Sequence, residues 1–190
     1  MHPDKDIAKD IHDINQIPII TNILNVICQS TGMGFSAVAR VTDNKWVTCS
    51  LRDDISFGLK PGDELELKTT ICDEIRDHQN PVVIDYVDED PEFKNHHTPL
   101  QYGFQSYISI PIIRKDGRFF GTLCAIDPKP RNLNSSETLQ MFKLFSDLIS
   151  FHLNSIEQLD YTQLLLEKER ELNRLTEETS KKFTDILENK

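Results

Sequence analysis

The sequence predicts an α+β fold: an antiparallel sheet with helices on one side, a pocket opposite, and one long helix at the C-terminal end. Three observations predict it. Two pairs of apolar, strand-like runs flank tight polar turns, at 35–52 and at 106–128. Apolar residues recur at helical spacing before the first pair and again after the second. Between the pairs lie a short helical stretch, a short apolar run and a long segment without clear period. Helices segregated from an antiparallel sheet give a layered α+β domain.

Residues 4–31 read as helix interrupted at Pro18, because proline removes a backbone donor and clashes with the preceding turn. Beyond it Ile20, Ile23, Leu24, Ile27 and Cys28 form one apolar stripe, and the glycines of TGMG (31–34) end the helix. FSAVARVT (35–42) and WVTCSLR (46–52) form an antiparallel hairpin around the turn DNK. DDISFGLKPGDELEL (53–67), with two glycines and a proline, is expected as a loop ending in a short strand. KTTICDEIRDHQ (68–79) is a short helix in which Thr70 and Asp73 are spaced as a capping pair. PVVID (81–85) is a short buried strand. YVDEDPEFKNHHTPLQYG (86–103) is a long, partly helical loop, and loops of that length in compact domains usually carry function.

SYISIPIIRKDGRFFGTLCAIDP (106–128) holds two strands around KDGR, whose Asp-Gly marks a tight turn. Pro111 places an edge or a bulge in the first of them. From Asn134, positioned to cap with Glu137 at the third helical position, the chain becomes one long helix. Leu139, Phe142, Phe145, Leu148, Ile149, His152 and Ile156 make a broad apolar stripe for the sheet. After about residue 157 the helix turns highly charged, and Leu165, Leu172, Leu175 and Ile186 keep a heptad register with Thr179 between. A parallel helix from a second copy is the simplest way to close that seam, which predicts a homodimer; a frayed terminal helix is the alternative. The expected division is an N-terminal helical segment at 1–16, a globular domain at 17–156 and a coiled-coil helix at 157–190.

The 190 residues are 38% hydrophobic and 27% charged, with a formal net charge of −10. That balance argues against nucleic acid and against an anionic membrane surface as partners, since both need a basic face. No run of about 18 apolar residues occurs, so no membrane span is expected. The N-terminus lacks the pattern of a secretory signal, and the expected location is the cytoplasm. The four cysteines, Cys28, Cys49, Cys72 and Cys124, include no C-x-x-C pair, so no zinc or iron–sulfur framework is indicated. In a reducing compartment they are expected as thiols, each a small apolar filler.

His96 and His97 raise the question of a metal. Adjacent residues point apart on a strand and diverge by about 100° on a helix, so they do not converge on one ion, and no metal site is expected. No carboxylate pair, nucleophile elbow, P-loop or dinucleotide fingerprint occurs, and no catalytic residue is assigned. Trp46, Phe57, Tyr86, Phe93, Tyr102, Phe104 and Tyr107 supply an aromatic wall, for a small-molecule pocket or equally for a filled core. Asp85, at the strand end, His96, His97 and Cys124 complete the candidate pocket residues. Cys72 is expected in the first turn of its helix, where the dipole favours a thiolate.

At this point the sequence resembles a GAF domain. The resemblance rests on TTICDEIRDHQNPVVIDYVDEDPEF and, most specifically, on YGFQSYISIPIIRKDGRFFGTLCAIDPKPRNLNSSE, and it spans roughly 17–155. It implies a sensory or regulatory module with an unknown small ligand or none, whose C-terminal signalling helix feeds a downstream output domain. The layout is similar to the input end of bacterial sensor histidine kinases, which would place a kinase beyond Lys190 or on another chain. His96 stands eight residues before Phe104-Gln105, where bilin-binding GAF domains carry the attaching cysteine, and His97 stands beside it. A thioether is impossible there, which leaves a noncovalent tetrapyrrole, bilin or haem, as the alternative cofactor. Free methionine-R-sulfoxide reductases of this family use cysteines near Cys72 and in the later loop; 86–105 has none, so that activity is not expected. The cyclic-nucleotide signature N-K-x-F-D-E is also absent.

Overall fold

An apolar sheet must be covered on both faces, and this requirement arranges the fold. The computed structural model describes residues 3–188; the side chains of 3–6, 183 and 186–188, Ile186 among them, lie outside the described residues. The chain divides into two compact units, Met1–Leu153 and Asn154–Lys190. The first begins with α1 (Pro3–Gln16) and α2 (Ile20–Thr31), separated at Pro18 as the sequence predicts. The whole stripe Ile20, Ile23, Leu24, Ile27 and Cys28 is buried. Gly32, at φ 73, turns the chain out of α2 in the left-handed conformation that glycine accepts without a Cβ clash.

Six strands follow: β1 (Phe35–Val41), β2 (Trp46–Asp53), β3 (Glu64–Leu65), β4 (Val82–Ile84), β5 (Ser106–Ile113) and β6 (Phe119–Asp127). They form one antiparallel sheet in the order β3-β2-β1-β6-β5-β4. Both predicted hairpins are present, and the first strand of one pairs with the second strand of the other.

Side chains alternate between the two faces. From β1, Ser36 donates to Leu24 O of α2, and Arg40 reaches Asp10 of α1. Asp10, buried, also meets Arg114 at 3.2 Å, and both guanidinium groups lie over the Phe120 ring. The alternate residues Ala37 and Ala39 sit opposite Cys124 and Thr122 on the other face. That face is covered by α3 (Ile71–His78), the short α4 (His97–Tyr102) and the loops around them. Helices therefore lie on both faces, α1 and α2 on one and α3 and α4 on the other.

α5 (Ser136–Glu188) is a single helix of 53 residues. Its line of burial differs from the predicted stripe: Phe142, Ser146, Ile149, Ser150 and Leu153 are buried, while Leu139, Phe145, Leu148, His152 and Ile156 are half-exposed. Ser146 donates to Pro111 O and Ser150 to Ile113 O, so the helix uses hydroxyls to satisfy carbonyls at the end of β5. Pro111 is tolerated because the pairing of β4 with β5 stops at Ser109, so no strand asks for the missing N–H. β4 is a half-buried edge strand rather than a buried one.

Two caps also differ from expectation. Thr70 precedes α3, but its hydroxyl donates to Leu67 O, and Asp73 instead pairs with Lys68 and Arg76. Ser135, not Asn134, caps α5, accepting from Thr138 N at 3.1 Å. Asn134 N is already held by Asp85 Oδ1 at 2.9 Å, beside Leu133 N at 2.7 Å.

Two stability predictions follow from these contacts. A Cβ on Gly121 would lie 1.9 Å from Ala39 O, where β1 and β6 approach. Gly121→Ala is expected to cost about 2–3 kcal/mol in urea unfolding, as overpacking between rigid backbones does; a change under about 0.5 kcal/mol would contradict the close approach. Asp85→Ala leaves two backbone N–H groups without their acceptor and is expected to cost about 2 kcal/mol by the same measurement. An unaltered midpoint would show that water replaces the carboxylate.

Candidate functional site

The face under α3 is not fully packed. A small cavity of about 50 Å³ lies between the sheet, the start of α3 and α4. The sheet supplies Phe35, Trp46, Tyr107, Cys124 and Ile126; the start of α3 supplies Thr70, Ile71 and Cys72; α4 and the residues after it supply Thr98, Tyr102 and Phe104. Leu59 and Leu65 close a side, and Phe57 closes the mouth, its ring 5.1 Å from Phe35 and 6.1 Å from Tyr102. Beyond Phe57 and Tyr102 a groove of about 450 Å³ continues along Ile55, Ser56, Gln101 and Pro128.

The strand register places the floor: Phe35 is opposite Ile126, Ala37 opposite Cys124 and Tyr107 opposite Ile126, so the large rings surround two alanines (Ala37 and Ala39) that leave room. The mouth loop is held by Asp53, whose carboxylate accepts from Ile55 N, Phe57 N and Gly58 N. Burial pushes that carboxyl up, but the N–H groups of Gly58, Phe57 and Ile55 outweigh it and hold it below its usual range. Gly58 at φ 94 makes the turn behind Phe57. Tyr102 is fixed from the other side by its hydroxyl on Thr69 Oγ1 at 2.7 Å.

Six of the eleven residues proposed from sequence line the cavity: Trp46, Phe57, Tyr102, Phe104, Tyr107 and Cys124. Five do not. Asp85 faces the start of α5. Tyr86 is directed at Asp88. Phe93 is buried in the core beside the cavity and touches the His96 ring. His96 Nδ1 accepts from Thr98 N, so its Nε2 carries the proton toward Glu74 Oε1 at 2.8 Å. His97 places its Nε2 3.0 Å from Lys68 O. The two rings stack at 4.3 Å instead of converging. The histidines thus pin α4 onto α3 and the turn before it, and they position Thr98, which does reach the cavity.

None of the lining residues is charged. The buried Trp46 Nε1 has no hydrogen-bond partner. Cys72 Sγ receives Thr122 Oγ1 at 3.2 Å and contacts the Tyr107 hydroxyl at 3.4 Å. The wall thus offers apolar surface, a few hydroxyls and thiols, and one unpaired N–H donor. A tetrapyrrole does not fit: the space is far smaller than its rings, and both candidate histidines are committed outside the cavity. Among the described residues no group of three or more metal-ligating side chains converges. No helix among them is long and apolar enough to cross a membrane.

Sequence reasoning missed Phe35, Leu59, Leu65, Thr70, Ile71, Thr98 and Ile126 as lining residues. The alternation of β1 and β6 was the available signal for Phe35 and Ile126, but only once their register is known.

Comparison with known proteins agrees with this architecture. No curated protein sequence matches the chain. Among solved structures, the chromophore-binding domain of the bacteriophytochrome RpBphP3 from R. palustris superimposes with a TM-score of 0.62 at 14% identity, over 82% of this chain and 62% of that one. The chain therefore spans 62% of the length of that domain. The free methionine-R-sulfoxide reductase from Neisseria meningitidis gives 0.58 at 16% identity, over 82% and 86%. The GAF domain of an Acinetobacter phosphoenolpyruvate-protein phosphotransferase gives 0.57 at 11%, over 85% and 99%. At these identities the likeness establishes the fold. Residues 16–153, most of the chain, match the family model of the GAF domain, and the chain belongs to that family.

Proposed function

We propose that the chain is a sensory GAF module that binds a small uncharged molecule and passes its bound state to α5, acting as a parallel homodimer on an output domain such as a histidine kinase. The observation that carries this reading is the route from cavity wall to helix. Tyr107 of β5 lines the cavity. Farther along β5, the carbonyls of Pro111 and Ile113 accept from Ser146 and Ser150 of α5. At the other end of β5, Ser106 donates to Asp85 O, and the Asp85 carboxylate holds the two residues that lead into α5. A ligand that shifts β5 thereby shifts the footing of the helix, to the extent that it binds the two arrangements with different affinity.

Support for the dimer comes from the second unit. Leu165, Leu172 and Leu175 are 47%, 63% and 47% exposed and fall on one heptad seam of the helix in the second unit. Helix pairing is the ordinary resolution of that pattern. The sensory reading also accords with the phytochrome fold likeness and with the cysteine-free loop at 86–105, which leaves the sulfoxide reductase chemistry without its later thiol. One observation favours a second reading, a ligand-free dimerisation module: the cavity holds about 50 Å³, and a side-chain rearrangement can fill it.

The dimer is tested by cysteines placed singly at 165, 172 and 175. A parallel pair is expected to give a symmetric disulfide-linked dimer at each position on mild oxidation, read on non-reducing gels. Failure of all three positions to link, with exposed controls at 167 and 171 equally unlinked, would overturn the parallel dimer.

A further inference from the structure

Cys72 Sγ is surrounded by more hydrogen-bond donors than a structural thiol needs. Thr122 donates to it at 3.2 Å, and the Tyr107 hydroxyl lies at 3.4 Å. Cys124, two residues along β6 from Thr122 and so on the same face of the sheet, lines the same cavity. The Trp46 indole N–H faces it from beyond hydrogen-bond distance. Cys72 is also the second residue of α3, where the helix N-terminus adds positive potential.

These neighbours divide the protons unequally. Cys124 foremost and then Thr122, Tyr107 and Trp46 bring the Cys72 thiol down to about 6 although burial pushes it up. Cys124 is driven well above its usual range, first by Cys72 and then by burial. Burial likewise keeps Tyr107 protonated and able to donate. The titratable groups facing Cys72 from the sheet are Tyr107 and Cys124, and no charged residue lines the cavity. Elsewhere burial pushes Cys28 up and takes Cys49 to about 12. A thiolate paired with a protonated thiol, beside an open cavity, is the arrangement of a reactive dithiol and not of four equivalent fillers.

We propose that Cys72 and Cys124 form a peroxide-reactive dithiol inside the cavity, with Cys72 the attacking thiolate and Cys124 the resolving thiol. The Cys72 sulfur attacks one oxygen of hydrogen peroxide; the S–O bond forms, the O–O bond breaks, and hydroxide leaves. The Cys124 sulfur then attacks the Cys72 sulfenic acid; the S–S bond forms, the S–O bond breaks, and the Cys124 proton is taken up as water leaves. Two thiols and one peroxide yield one disulfide and two waters. Hydrogen peroxide is close to water in size, and about 50 Å³ of open space beside the sulfur admits it. This chemistry stands independently of the ligand reading, since it needs only the two sulfurs, their donors and access.

The test exposes the reduced full chain to hydrogen peroxide and maps its thiols by mass spectrometry over time. The expected result is one cross-linked peptide pair, Cys72 with Cys124, two hydrogens lighter than the reduced pair. Cys72 is expected to be consumed roughly tenfold faster than Cys28 and Cys49 at neutral pH, as its larger thiolate fraction outweighs its lower intrinsic nucleophilicity. The rate should rise through a midpoint near pH 6. Cys124→Ser should leave a Cys72 sulfenic acid, read as one added oxygen on the Cys72 peptide, and Thr122→Val, which removes one donor, should move the pH midpoint upward. The proposal is overturned if the wild-type chain yields no Cys72–Cys124 pair, or if Cys72 reacts no faster than Cys28 and Cys49 in the same sample.

Discussion

Asp85 ties together the parts that the proposed function needs. Its carboxylate accepts Leu133 N and Asn134 N, and its carbonyl accepts Arg131 N and the Ser106 hydroxyl. One residue at the end of the edge strand thus fixes the entry of α5, the start of β5 and the chain between them. Leu133 is fully buried, so its N–H has no water to fall back on. The two serines of α5 bond one end of β5 directly, and Asp85 links the other end to the residues that lead into the helix. Asp127 repeats the device one strand away: buried, it takes Gly34 N at 2.8 Å and Lys129 N, and pairs with Arg131 at 3.1 Å.

The cavity follows a different logic. Its wall has aromatic rings, aliphatic groups, hydroxyls and two thiols but no cationic side chain, so an anionic ligand would lose its hydration without compensation. The polar atoms that do face inward are donors in excess of acceptors, and a sulfur is where they converge. Neutral donors around one buried thiol lower its proton affinity without placing a cation in the core. The donors gathered at Cys72 and the unpaired Trp46 Nε1 both mark this face of the sheet as something other than ordinary core. The opposite face, under α1 and α2, pairs its buried charges, as Asp10 does with Arg40 and Arg114.

The sequence was most legible where short-range periodicity decides the outcome. The apolar stripe of α2, both hairpins, the Asp-Gly turn with Gly117 at φ 86 and the break at Pro18 all depend on neighbours within a few residues. The errors fall where a competing hydrogen-bond partner intervenes. Asn134 stands one residue before the cap, its N–H held by Asp85, 49 residues earlier, and Ser135 takes the capping position. Thr70 does not cap α3 because its hydroxyl turns back to Leu67. His96 and His97 lie near aromatic residues in sequence yet face α3, because Glu74 and Lys68 O satisfy them there. The cavity itself was half legible: its aromatic residues are visible as composition, but the register that sets Phe35 and Cys124 around Ala37 is a three-strand property. The environment of Cys72 needs α3, β5 and β6 at once.

The central claim is that a GAF domain with one small uncharged-ligand cavity works in pairs. Native mass spectrometry of the chain purified from its own host tests it most directly. The account predicts a dimer in which each copy carries the mass of one small uncharged molecule, released on mild activation. A monomer at the bare chain mass would contradict it.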